Sequence, residues 1–147
     1  MARLPQSEGL AYAAGLFDGE ACIHIAKQRK RQARRGYIYR LTVTVAQNHL
    51  DTLTDFQQLS GVEGRIYWRP RQGTSNRDNF ALAYDGDAAA DLLERLRPLL
   101  RRKRDEADVA LRFQRETDIH RHFGPLGCPD EIWKKRDLLY AKLRSLK

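Results

Sequence analysis

The stretch Tyr12-Ala13-Ala14-Gly15-Leu16-Phe17-Asp18-Gly19-Glu20-Ala21-Cys22-Ile23 decides how this chain is read. Its first half continues a helical pattern: Leu4 to Phe17 reads as a helix, with Ser7 as N-cap and Leu10, Ala13, Ala14 and Phe17 recurring at a spacing of three or four. The other stripe is all small. Ala11, Gly15 and Gly19 recur every fourth residue, so a second backbone can approach closely. An internal glycine costs a helix roughly 1 kcal/mol against alanine, which calls for a packing reason. An intrachain helix contact would supply one, and Gly19 alone would also serve as a C-cap.

Beyond Glu20 the period changes to two. Residues 22–30 and 37–46 alternate and flank the basic turn Gln32-Ala33-Arg34-Arg35-Gly36, which is a hairpin. Leu41, Val43 and Val45 share one face of its second strand; Arg40, Thr42 and Thr44 share the other. A short helix from Asp51 to Leu59 ends at Ser60-Gly61. A second hairpin follows: Ile66 and Trp68 lie opposite Arg65, Tyr67, Arg69 and Arg71, and Phe80, Leu82 and Tyr84 lie opposite Asn79, Ala81 and Ala83. Asp87 to Arg97 is helical with Asp87 as cap, Pro98 interrupts, and 99–116 continues as a basic helix. A Gly/Pro-rich turn at 123–129 precedes a last helix from Asp130 to about Leu146. The order α-β-β-α-β-β-α-α is an α+β arrangement.

The 147 residues carry 27 Lys and Arg against 19 Asp and Glu, a formal charge of +8. That excess needs an anionic partner, and it is clustered: residues 27–40 hold seven cations, 65–77 four, and 95–104 six, all without an acid. Clusters interleaved with Tyr37, Tyr39, Tyr67 and Trp68 point to a phosphate backbone. No apolar run is long enough to span a bilayer and no signal peptide is evident, so neither a membrane span nor a membrane partner is expected. Cys22 and Cys128 form no disulfide framework, which fits an intracellular, reducing compartment. His120, His122 and Cys128 lack the spacing of a zinc site.

The opening stretch resembles the signature of the LAGLIDADG homing endonucleases. Gly15, Leu16, Phe17, Asp18, Gly19 and Glu20 meet the pattern; Ala13 and Ala21 depart from it, standing for Leu and Gly. Gln47 closing the second strand and the segment Leu96 to Lys103 before a helix extend the likeness over about residues 7–116. The resemblance implies an αββαββα fold with a saddle-shaped antiparallel sheet, here as a single domain over 1–147 with a C-terminal helical extension at about 117–147.

With one motif per chain, the resemblance implies a homodimer in which Ala11, Gly15, Asp18 and Gly19 meet their symmetry mates. Each Glu20 would then lie beside its twin, and Glu20 with the Gly19 carbonyl would bind Mg²⁺, two or more ions at the dimer interface. A carboxylate at the C-terminal end of a helix is disfavoured by the macrodipole, so a cation would be welcome there. Gln47 is expected near the attacking water, and Lys103, ahead of Arg101, near the phosphate. Asp51 stands where related dimers carry a basic residue.

DNA contacts by strand parity fall to His24, Ala26, Gln28, Lys30, Arg40, Thr42, Thr44, Arg65, Tyr67, Arg69, Arg71, Arg77, Asn79 and Ala81, with Arg34 and Arg35 of the turn meeting phosphates. The implied function is Mg²⁺-dependent, site-specific cleavage of double-stranded DNA at a long, pseudo-palindromic target. The alternative is a non-cleaving binder on the same fold, an intron RNA maturase or a DNA-binding regulator. Arginine outnumbers lysine twenty to seven, which points to a GC-rich bacterial or phage source and a cytoplasmic protein, an organelle remaining open.

Overall fold

The computed structural model of the chain describes residues 6–71, 73 and 78–147. Helix α1 (Gln6–Glu20) runs directly into strand β1 (Ala21–Arg29), which turns into β2 (Tyr37–Gln47). Helix α2 (Leu50–Ser60), strands β3 (Arg65–Arg69) and β4 (Asn79–Asp85), and helices α3 (Gly86–Leu96), α4 (Arg104–Glu116) and α5 (Asp130–Ser145) follow. Through β4 the order is the one expected from the sequence; three helices then follow where α-β-β-α-β-β-α-α allowed two, because the turn at Pro98 separates α3 from α4. Most boundaries move by a residue, and Ser7 and Asp87, expected as caps, lie inside α1 and α3; three differences are larger.

Helix α1 continues past Phe17 to Glu20, and Gly19 has no left-handed backbone, so it is a helical residue and not a cap. The expected start at Leu4 lies outside the described residues. Strand β3 is shorter than expected because Pro70 has no N–H to give the ladder. No helix starts at Leu99: Pro98 sits in a 3-10 turn, Arg97–Leu99, the chain extends at Leu100, and α4 begins only at Arg104.

The strands form one antiparallel sheet in the order β1-β2-β4-β3. Its register pairs Ile23 with Val43, Val45 with Leu82, and Leu82 with Ile66. This parity set meets the helices. Ile23, Leu41, Val43, Val45, Leu82 and Tyr84 belong to one buried cluster with Phe17 of α1, Phe56 of α2, Leu93 of α3, Phe113 of α4, and Trp133 and Leu139 of α5. Each such side chain stabilises by roughly 1.5–3 kcal/mol when fully buried. Trp68 shares the parity but is 56% exposed, because β3 is an edge strand reaching past the helical layer. Where α1 crosses α2 the close approach is made by Gly9, whose absent Cβ would lie 2.7 Å from Leu59 Cδ2. Helix α5 is fixed to the end of α4 by buried Arg136, which donates to the Thr117 carbonyl at 3.1 and 2.8 Å.

The basic loop before α4 is tied to the end of α1. Asp18 accepts hydrogen bonds from the backbone N–H groups of Arg101 at 2.8 Å and Lys103 at 3.1 Å. The macrodipole opposes a carboxylate in the last turn of a helix, and two amide donors offset that cost. Both carboxylate oxygens of Asp18 are therefore engaged within its own chain. Replacing Asp18 with Ala should lower the unfolding free energy by roughly 1–3 kcal/mol with no change in m-value. Urea denaturation measures this, and an unmoved midpoint would contradict the anchor.

Candidate functional site

The junction of α1 with β1 has no loop, and this places Glu20. It is the last helical residue, one position before the Ala21–Val45 pair, while Gln47 ends β2 two positions after Val45. Both thus lie at the same end of the sheet. Asp18 draws the backbone of Arg101 and Lys103 to the same helix end. Four residues distant in sequence, Glu20, Gln47, Arg101 and Lys103, are gathered there. Glu20 and Arg101 are exposed, and Gln47 and Lys103 are half-buried. The Glu20 carboxylate has no hydrogen-bond or ion-pair partner among the described residues, and the Gly19 carbonyl belongs to the last helical turn, where carbonyls lack intrahelical donors.

Among the described residues no group of three or more His, Cys, Asp or Glu side chains could hold a metal ion. The His120 ring lies 3.3 Å from Asp87 and 3.0 Å from Gln114. Asp51 is exposed in the first turn of α2, where the helix dipole favours it.

The small stripe of α1 is uncovered. Ala11, Gly15 and Gly19 are exposed, and a Cβ built on Gly15 or Gly19 would meet nothing within 4 Å. Tyr12 beside them is 49% exposed.

The helices cover one face of the sheet and leave the alternate residues on the other. His24, Ala26 and Gln28 of β1, Arg40, Thr42 and Thr44 of β2, Asn79 of β4, and Arg65, Tyr67 and Arg69 of β3 share that open face. Arg40 is exposed there without a protein partner among the described residues. Arg69 donates to the Tyr67 hydroxyl at 3.0 Å and lies 5.5 Å from its ring centroid, which orders both side chains. Lys30 lies just past β1 with its side chain exposed, and Arg71, beyond β3, is 3.7 Å from Asp78. Arg77 lies outside the described residues.

Two expectations change. Ala81 is 0% exposed, because its small side chain sits on a central strand between Ala46 and Tyr67; it is not a surface contact. Arg34 and Arg35 do not project freely from their turn: Arg34 donates to the Leu126 carbonyl, and Arg35 pairs with Asp130 and lies 5.3 Å over the Trp133 ring. Two residues of the open face escaped the sequence reading. Asp85 accepts from Thr42 at 3.0 Å and lies 3.9 Å from Arg65, the only acid beside this face's cations among the described strands. Cys22 is exposed opposite Thr44, and a hydrogen bond with the His24 ring, 3.9 Å away, holds its thiol below the ordinary range. The parity that selected His24 selects Cys22 too.

No family model matches the chain, and no curated protein matches it. Solved structures do. The homing endonuclease I-CvuI in complex with its target in the presence of calcium is 23% identical, with a TM-score of 0.75 over 97% of this chain and 83% of that one. The archaeal intron-encoded homing endonuclease I-Vdi141I complexed with DNA is 13% identical, with a TM-score of 0.78 over 97% and 86%. The LAGLIDADG homing endonuclease I-GzeII in complex with its DNA target is 12% identical, with a TM-score of 0.70 over 90% of this chain but 43% of that one. One antiparallel sheet backed on a single face by helices, with the motif helix entering its edge strand directly, is the LAGLIDADG homing endonuclease fold, and this chain has it.

Proposed function

We propose that the protein is a homodimeric, divalent-metal-dependent endonuclease that cuts both strands of a specific DNA sequence. The observation that carries this reading is an uncovered glycine stripe on α1 ending in an exposed Glu20, unpaired among the described residues, beside a basic open sheet face. Binding alone does not need an unneutralised carboxylate against a surface built for phosphates. Similar folds that are DNA complexes support the substrate class. The match of this chain to 43% of I-GzeII supports two copies per functional unit.

The donor set fits a hard cation: Glu20 and the Gly19 carbonyl are oxygens at the negative end of a helix. One chain supplies too few of them, so the second protomer's pair and the target phosphates would complete the coordination. A bound Mg²⁺ would supply Lewis-acid activation of water and stabilisation of the leaving oxygen.

The chain's own residues orient and charge the site. Gln47, at the strand end beside Glu20, positions the attacking water through its amide. Lys103 offers a compact positive charge to the phosphate, on a backbone that Asp18 keeps in place; Arg101 is the second choice. Arg40, Arg65 and Arg69 face the major groove, and Arg29, Lys30 and Arg31 at the hairpin end meet phosphates.

Replacing Glu20 with Gln should lower cleavage of the target on the order of a hundredfold or more while leaving binding intact. Single-turnover cleavage and gel-shift titration measure the two, and retained cleavage would sink the metal assignment. Replacing Gly15 with Leu should leave the fold intact, since the new side chain meets open space within the chain, and should convert the dimer to monomer. Light scattering with circular dichroism tests this; a persistent dimer contradicts the interface. If plasmid libraries are bound but never nicked or linearised with Mg²⁺, the protein is a binder on this fold.

A further inference from the structure

The β1–β2 hairpin outruns its sheet. β4 pairs with β2 only from Thr42 onward, so among the described residues the ladder from Ile25–Leu41 to Arg29–Tyr37 has no third strand beside β2. A two-stranded ribbon twists strongly and is marginally stable alone. Yet this ribbon carries Gln28 and Arg40 on the open face.

What lies behind it is α5. The Tyr37 and Tyr39 hydroxyls both donate to Asp137 Oδ1, at 3.0 and 2.5 Å. Their rings pack on Trp133 with centroids 5.4 and 6.1 Å away, and the turn is held by the Arg35–Asp130 pair. Burial first, then the bond to Asp137, pushes the Tyr39 phenol well above its ordinary value, so it stays a donor through the working pH range.

We infer that Asp137 is a positioning residue for DNA recognition: by accepting both tyrosine hydroxyls it holds the overhanging ribbon at one height and twist, so that Gln28 and Arg40 meet base edges in a single register. This rests on the DNA-endonuclease reading above. Asp137 touches no DNA in it. Its effect is confined to base pairs read by the ribbon and does not extend to those read by Arg69 on β3, which β4 supports.

The test is a specificity profile of the full-length protein on a randomised DNA library. Positions read by the ribbon are those whose preference disappears with Gln28→Ala or Arg40→Ala; those read by β3 are found with Arg69→Ala. The paired variant Tyr37→Phe with Tyr39→Phe, which keeps both rings, and Asp137→Val should lose roughly tenfold discrimination at the ribbon positions, the scale of one misaligned base contact, and none at the β3 positions. Asp137→Asn keeps an acceptor and should restore the profile. Unchanged discrimination in the paired Phe variant, or equal loss at every position, overturns the inference. Wild-type protein that selects no DNA sequence overturns the endonuclease reading and this inference with it, whereas a sharp wild-type profile with insensitive variants overturns this inference alone.

Discussion

Helix α1 hands the chain to β1 with no residue between them, and most of the architecture depends on that junction. A helix ending where a strand begins allows little adjustment: the face carrying Ala13, Ala14 and Phe17 must enter the core, and Ile23 must follow it on the same side of the sheet. The opposite stripe is then turned outward with Gly15 and Gly19 bare. Glu20 falls at the hinge, fixed by backbone on both sides and solvated at its carboxylate. A flexible loop there would cost ordering entropy whenever the site had to form.

The positive charge divides into two populations once the fold is known. Arg35, Arg97, Arg115 and Arg136 are engaged within the chain: Arg97 pairs with Asp108, and Arg115 lies 2.8 Å from Asp91 and 3.0 Å from Glu94. Arg97 ties the Pro98 turn to α4, Arg115 ties α4 to α3, Arg136 ties α5 to the end of α4, and Arg35 ties the β1–β2 turn to α5. Arg40, Arg65 and Arg69 project from the open face, and among the described strands Asp85 is the one acid beside them. Charge counted along the sequence overstates what faces a ligand, because an arginine in a basic cluster can still find a distant acid.

Local periodicity made much of the fold legible. The α1 core face, the two strand faces and the open-face set follow from spacings of four and two, which short-range sterics impose. Glu20 and Gln47 were legible as a resemblance and a strand end. Ala81, Arg34 and Arg35 were not read correctly, and the anchoring bonds of Asp18 were not read at all, each for the same kind of reason. Asp18 meets amides more than eighty positions away; Ala81 is hidden by neighbours on two other strands; the turn arginines find partners beyond residue 125. Parity says which side of a strand a residue is on, but not how tall the residues beside it are.

By itself, then, the sequence determined the order and faces of the elements, the small stripe and the carboxylate that ends it, because these depend on interactions within a few residues. Only the tertiary structure decided which charges are engaged within the chain, which helix fixes the loop carrying Lys103, and that α5 stands behind the β1–β2 ribbon beyond the reach of β4. Those outcomes are contacts between segments far apart in the chain, and nothing in the spacing of residues along one segment specifies the surface that another will bring against it.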